Sequence, residues 1–208
     1  MKTHTLETQA TMTPKKAIQF LKEGNERFQN NLKANRNLLQ QVNETKDGQF
    51  PFATILSCID SRVSAELVFD QGLGDIFSIR IAGNFVNEDI LGSMEFACKL
   101  AGTKLIVVLG HTSCGAVKGA CDHARLGNLT TLINKIEPAV DAVKEPKDES
   151  LRNSKNLEFV DAVAVKNVEM TLDNIRSQSP ILKEMEDEEQ IAIVGAMYDL
   201  SDGKVVFL

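Results

Sequence analysis

The sequence predicts an α/β fold: a mostly parallel central sheet of four parallel strands plus an antiparallel edge strand, flanked by helices and preceded by an N-terminal helical arm. Three observations predict it. Short runs rich in branched residues, among them FATILSC, IFSIR and KLIVVLG, alternate with helical stretches such as VSAELVFD and EDILGSMEFACKLAG. The runs are apolar nearly throughout rather than at every second residue, as in a parallel sheet covered on both faces. The turn SDGK separates IAIVGAMYDL from KVVFL, which returns the last strand antiparallel at the edge.

Taken in order, Thr13-Pro14 reads as a helix N-cap with proline at the first helical position, and Ile18, Leu21 and Phe28 fall on one face of a helix over 14–31. A partner subunit is the expected surface for that face. Residues 33–49 are polar and without apolar periodicity, so they are expected to be a loop. This divides the chain into an N-terminal helical arm and linker, 1–47, and an α/β body, 48–208. After KLIVVLG, helices are expected near 115–124, 129–143 and 155–177, with Pro180 opening another short one. The acidic run EMEDEE at 184–189 reads as a solvated helix end. No internal repeat or low-complexity segment is visible.

A chain of 208 residues with 43% hydrophobic residues can bury one full core. Net charge of -6 and a pI near 5.2 argue against nucleic acid or anionic lipid as partners. The N-terminus lacks the apolar stretch of a secretory signal, and no run approaches the ~18–20 apolar residues of a membrane span, so a cytoplasmic protein is expected. In that setting four cysteines are free thiols or metal ligands rather than a disulfide framework.

In an open parallel sheet, functional groups gather at the carboxyl ends of the strands. FATILSC ends on Cys58 and opens Cys58-Ile59-Asp60-Ser61-Arg62, while KLIVVLG runs into His111-Thr112-Ser113-Cys114. Cys58, His111 and Cys114 suit zinc, which takes thiolate and imidazole in a tetrahedron with bonds of roughly 2.0–2.3 Å. Spacing alone leaves open a structural zinc site or a thiol pair without metal. Two thiolates and a neutral imidazole cancel the charge of zinc, so a catalytic site needs further help, and Asp60 with Arg62 is the candidate. Asp60 either closes the site as a fourth ligand or is held off by Arg62, leaving that position to water. Cys98 reads as core, Cys121 and His123 diverge on a helix and make no second metal site, and His4 is assigned to a disordered tail.

At these residues the sequence resembles the β-class carbonic anhydrases: Cys58-Ile59-Asp60-Ser61-Arg62-Val63 is similar to the first family signature, and Gly110-His111-Thr112-Ser113-Cys114-Gly115 to the second. The likeness runs from about Gly48 to Ala120 and continues loosely to the C-terminus. It implies a zinc enzyme that interconverts carbon dioxide and bicarbonate by attack of zinc-bound hydroxide, with Cys58, His111 and Cys114 as ligands. Asp60 would be the fourth ligand or Arg62's partner. Gln49 would hydrogen-bond substrate, Phe77 and Phe96 would line an apolar carbon dioxide pocket partly across a subunit interface, and Gly115 would lie against the substrate. Arg80, Ala82, Gly83 and Asn84 fall in a stretch similar to the family's Arg-Asn-Val-Ala-Asn. Some bacterial members have an inhibitory bicarbonate pocket that uses a tryptophan. Ile55 stands at that position and the chain has no tryptophan, so an always-open site is expected. A homodimer or dimer of dimers is implied. Hydrolysis of carbon disulfide or carbonyl sulfide, and a non-catalytic zinc module, are the alternatives. A thiol redox protein is disfavoured because no Cys-x-x-Cys pair is present.

Overall fold

In the computed structural model, which describes residues 3–208, helices cross between five extended segments. In chain order these are α1 (Leu6–Ala10), α2 (Pro14–Gln29), α3 (Leu38–Thr45), β1 (Ala53–Ser57), α4 (Ala65–Val68), β2 (Ile76–Arg80) and α5 (Glu88–Glu95), which runs into a π-helical turn at Phe96–Leu100. There follow β3 (Leu105–His111), α6 (Gly115–Cys121), α7 (Gly127–Ala142), a 3₁₀ turn (Glu149–Leu151), α8 (Leu157–Gln178), α9 (Pro180–Asp187), β4 (Ala192–Tyr198) and β5 (Val205–Phe207).

The strand order is β2-β1-β3-β4-β5, with β5 alone antiparallel, as the sequence pattern predicts. Every residue of β1 and β3 is buried, which is why these two read as nearly continuous apolar runs. Ile55, Leu105, Val107 and Leu109 pack on one face of the sheet, with Leu21 and Phe69 over them. Leu56, Ile106 and Val108 pack on the other, under Met94, Val168, Ile175 and Leu182. From β1 the chain leaves toward β2, whereas from β3 it leaves toward β4 on the opposite side. The loops after β1 and β3 therefore diverge, and the crevice of a doubly wound sheet opens between their carboxyl ends.

The N-terminal region differs from the sequence expectation in three ways. The apolar face of α2 covers its own chain's sheet instead of awaiting a partner. Ala17 and Leu21 are fully buried there, and Gly24 lies so close to the Phe69 carbonyl that an added methyl would sit 1.8 Å from the oxygen. The stretch 33–49, expected to be a loop, contains α3, capped by the Asn37 side chain on the Gln40 N–H. Its inward residue is Gln41, 2% exposed, whose Oε1 accepts from the Leu73 N–H, so the helix docks through a polar contact and carries no inward apolar stripe to be read. His4, assigned to a disordered tail, is half-buried with its ring 5.2 Å from that of Phe52 and 6.1 Å from that of Phe20. Nearby, buried Gln9 donates to the carbonyls of Pro51 and Ala101.

Candidate metal centre

Cys58 follows β1 by one residue and His111 ends β3, so the parallel pairing of these strands delivers both to the same edge of the sheet. Cys114 comes three residues later, at the N-cap of α6, because Ser113 takes a left-handed turn with φ of 54°. The two sulfurs and a histidine ring nitrogen then lie within 4.8 Å of one another, and all three residues are buried. This is the one such cluster among the described residues.

The donor set fits a tetrahedral ion. Cys58 Sγ and Cys114 Sγ are 3.9 Å apart. A tetrahedral centre with metal–sulfur bonds of about 2.3 Å sets two thiolates roughly 3.8 Å apart, whereas a disulfide would bring them to about 2.05 Å. His111 Nδ1 lies 2.9 Å from the Thr112 carbonyl, which can only accept, so the proton is on Nδ1 and the lone pair on Nε2. Nε2 is buried and has no hydrogen-bond partner among the described residues. A buried nitrogen with a free lone pair beside two sulfurs is the arrangement of a ligand awaiting its ion.

Backbone N–H groups stabilise both sulfurs. Gly83 N–H donates to Cys58 Sγ at 3.5 Å, and the backbone N–H groups of Asp60 near Cys58, and of Val117 and Ala116 near Cys114, favour the thiolate form of each. The two thiols shift each other in opposite directions. Cys114 as donor holds Cys58 down as thiolate, and the same bond, with burial, pushes Cys114 up.

Asp60 faces Arg62. Its two oxygens accept from Arg62 Nε at 2.9 Å and Nη2 at 2.8 Å, and Oδ1 also accepts the Arg62 backbone N–H at 3.0 Å. The Arg62 side chain holds the Asp60 carboxyl well below the usual carboxylate range. Arg80, at the end of β2, fixes the backbone around them, donating to the carbonyls of Cys58 at 3.0 Å and Asp60 at 2.7 Å. Ile55 is fully buried in the core of the sheet.

The structure does not bring Gln49, Phe77 or Phe96 to the Cys58–His111–Cys114 cluster of the same chain. Gln49 precedes β1 by four residues and lies exposed beside Leu73 and Gly74, at the entry edge of the sheet. Cys58 is at the exit edge, the length of β1, roughly 15 Å, away. Phe77 pairs with Thr54 in the first half of β2, and its ring is 6.3 Å from that of Phe96, which is 50% exposed. These two rings border a cavity of about 560 Å³ with Ser78, Ile79, Gly92 and Ser93, on the outer side of the edge strand. Gly115, exposed beside Cys114, is the substrate candidate that does border the ligands.

Sequence reasoning missed Asp161 and Asn167. Both lie on α8, about 50 residues past the second signature, where they meet the Ser113 N–H and the Gly83 carbonyl. One signal was available for Asn167, which with Thr171 interrupts the apolar face of Val160, Val163, Ala164, Val168 and Ile175.

Comparison with known proteins agrees with this geometry. The profile of the carbonic anhydrase family matches residues 53–205. Carbonic anhydrase 2 of Mycobacterium tuberculosis is 37% identical over 205 residues, spanning 93% of this chain and 92% of the relative. The carbonic anhydrase of Mycolicibacterium smegmatis is 35% identical over 199 residues, 92% of each chain. Among solved structures, a β-carbonic anhydrase of Aspergillus fumigatus aligns with a TM-score of 0.73 at 25% identity, covering 82% of this chain and 81% of that one. A β-carbonic anhydrase from Sordaria macrospora, one of two described as tetrameric, shares the fold with a TM-score of 0.68 at 23% identity over 81% of this chain and 89% of that one.

Proposed function

Because the chain belongs to the β-class carbonic anhydrases, we propose that it hydrates carbon dioxide reversibly to bicarbonate and a proton at a zinc ion held by Cys58, His111 and Cys114. The observation that carries the reading is the three-donor cluster with a protonated Nδ1 and a free Nε2 lone pair, beside an acid held away by its own arginine. Zinc bound there would act as a Lewis acid and lower the pKa of a water it carries.

The chain's own residues supply orientation. Asp60 remains ionised, and a carboxylate only accepts hydrogen bonds, so it selects a water or a bicarbonate hydroxyl as its neighbour and turns the lone pairs of that oxygen elsewhere. Arg62 keeps Asp60 from becoming the fourth ligand, which leaves the ligand set at three, the count of a catalytic rather than a structural site. Arg80 holds the loop that carries both. A stopped-flow hydration assay and a zinc determination on the same sample test the proposal, with fast hydration and about one zinc per chain expected. A zinc-free active enzyme, or a zinc enzyme that prefers carbon disulfide or carbonyl sulfide, would overturn it.

Gln49, Phe77 and Phe96 enter this reading across a subunit boundary. They stand away from their own metal ligands and partly exposed, which suits a homodimer in which each chain completes its partner's pocket; a dimer of dimers follows by analogy with the tetrameric Sordaria proteins. Residues 48–208 would be the catalytic unit and 1–47 the helical arm. The four free thiols suit the reducing cytoplasm. Mixing Cys58→Ser chains with Gln49→Ala chains tests the assembly. One site in each mixed dimer then has intact ligands and an intact Gln49, so activity should rise above the sum of the separate variants. Activity that merely averages would place Gln49 in its own chain's site or outside catalysis.

A further inference from the structure

Two hydrogen bonds tie α8 to the two halves of the metal centre, and neither involves a ligand side chain. The Asp161 carboxylate accepts from the Ser113 N–H at 2.7 Å, inside the turn that joins His111 to Cys114. Ser113 has a φ of 54°, a left-handed conformation that a residue with a side chain keeps only where its surroundings impose it. Further along the helix, Asn167 donates its side-chain amide to the Gly83 carbonyl at 2.8 Å. The N–H of the same Gly83 donates to Cys58 Sγ. Gly83 itself has a φ of 79°, and an added methyl would meet Ile136 Cδ1 at 2.3 Å, so the backbone here is closely confined and its amide direction is set by what holds its two ends.

The helix is suited to this. It is the longest in the chain, with 22 residues, and it packs on both β3 and β4. Asp161 and Asn167 are about 9 Å apart along its axis, so one rigid element addresses both the turn after β3 that carries Ser113 and the loop after β2 whose Gly83 N–H meets the Cys58 sulfur. Asn167 is 3% exposed on a mostly apolar face, where an amide is costly unless it has a partner, and the Gly83 carbonyl is that partner.

We propose that Asp161 and Asn167 are positioning residues that arrange the ligand set before metal arrives. Asp161 holds the His111–Cys114 turn, and Asn167 aims the Gly83 N–H at the Cys58 sulfur. The inference rests on reading Cys58, His111 and Cys114 as a zinc centre, and one of its tests needs no metal.

Zinc-loaded enzyme mixed with excess chelating dye reports the release rate. Asp161→Ala and Asn167→Ala should release zinc about 10- to 100-fold faster than the wild type, the usual range for groups that support a metal ligand. Asp161→Asn, which keeps an acceptor oxygen, should restore a rate near that of the wild type. In cobalt-substituted protein, Asn167→Ala should shift the sulfur-to-cobalt charge-transfer band. Ile175→Ala, in the core beyond the site, should lower Tm yet leave release rate and band unchanged. Wild-type release from both alanine variants, or equally fast release from Ile175→Ala at a matched loss of Tm, would overturn the proposal. Independently of any variant, the Ser113 amide of metal-free wild-type protein should stay protected from hydrogen exchange. Exchange at the rate of an open loop would show that the metal, not Asp161, holds the turn. A wild type that takes up no zinc would refute the functional reading and leave this exchange result standing.

Discussion

Arg62→Ala is expected to lower kcat/KM for carbon dioxide hydration by about 10²–10³-fold, the range for loss of an orienting electrostatic group, with zinc content unchanged. Arg62 touches none of the ligand side chains; its guanidinium is committed to both oxygens of Asp60. Without it, an anionic Asp60 stands beside a cation with an open coordination position and is expected to occupy it. The visible spectrum of the cobalt-substituted variant, which reports a change in the ligand set, checks this directly. Protonation cannot imitate the effect near neutrality. Because the folded pKa of Asp60 is depressed by Arg62, the pair is fully formed above the ordinary carboxylate value of 3.8 and is lost only as pH falls through the still lower folded value. Activity that changes between pH 6 and 9 should therefore belong to another group, and an Arg62→Ala variant with full activity would remove the pair from the mechanism.

His111→Ala is expected to weaken zinc affinity by at least about 10³-fold and to reduce hydration to background, since a two-thiolate remnant is a poor site. The purified protein should contain well under one zinc per chain. The folded state should lose the stabilisation that a tightly bound ion supplies by mass action, about 4 kcal/mol when free zinc exceeds Kd by 1,000-fold. The sheet itself should survive, because β1 and β3 are buried along their lengths by apolar residues that do not depend on the metal. Thermal unfolding with and without chelator separates the two effects. In the wild type chelator should lower Tm, and in His111→Ala it should not. Retention of stoichiometric zinc would exclude His111 as a ligand.

The three-donor cluster was legible because each of its residues lies at or within three residues of a strand end, where a short motif and the strand before it are contiguous. FATILSC and KLIVVLG are apolar nearly throughout, so the sequence itself points to their parallel pairing and to Cys58 beside His111. The N-terminal region was harder to read. Gln41 docks α3 through an amide rather than an apolar face, and α2, with an amphipathic pattern that any apolar surface would satisfy, found that surface on its own chain. Periodicity reports which face is buried and does not say against what.

The three-donor cluster, the strand order and the family are thus determined by local sequence. Local propensity, the apolar pattern and a pair of motifs all act within a few residues of one another. Only the tertiary structure decided the rest: that Asp60 turns to Arg62, that Gln49, Phe77 and Phe96 stand away from their own chain's Cys58–His111–Cys114 cluster, and that Asp161 and Asn167 reach the Ser113 turn and Gly83 from 48 and 84 residues away in sequence. Those contacts depend on where α8 and the sheet edges lie once the core has closed, and a hydrogen bond formed across that distance leaves no periodic trace in the residues between.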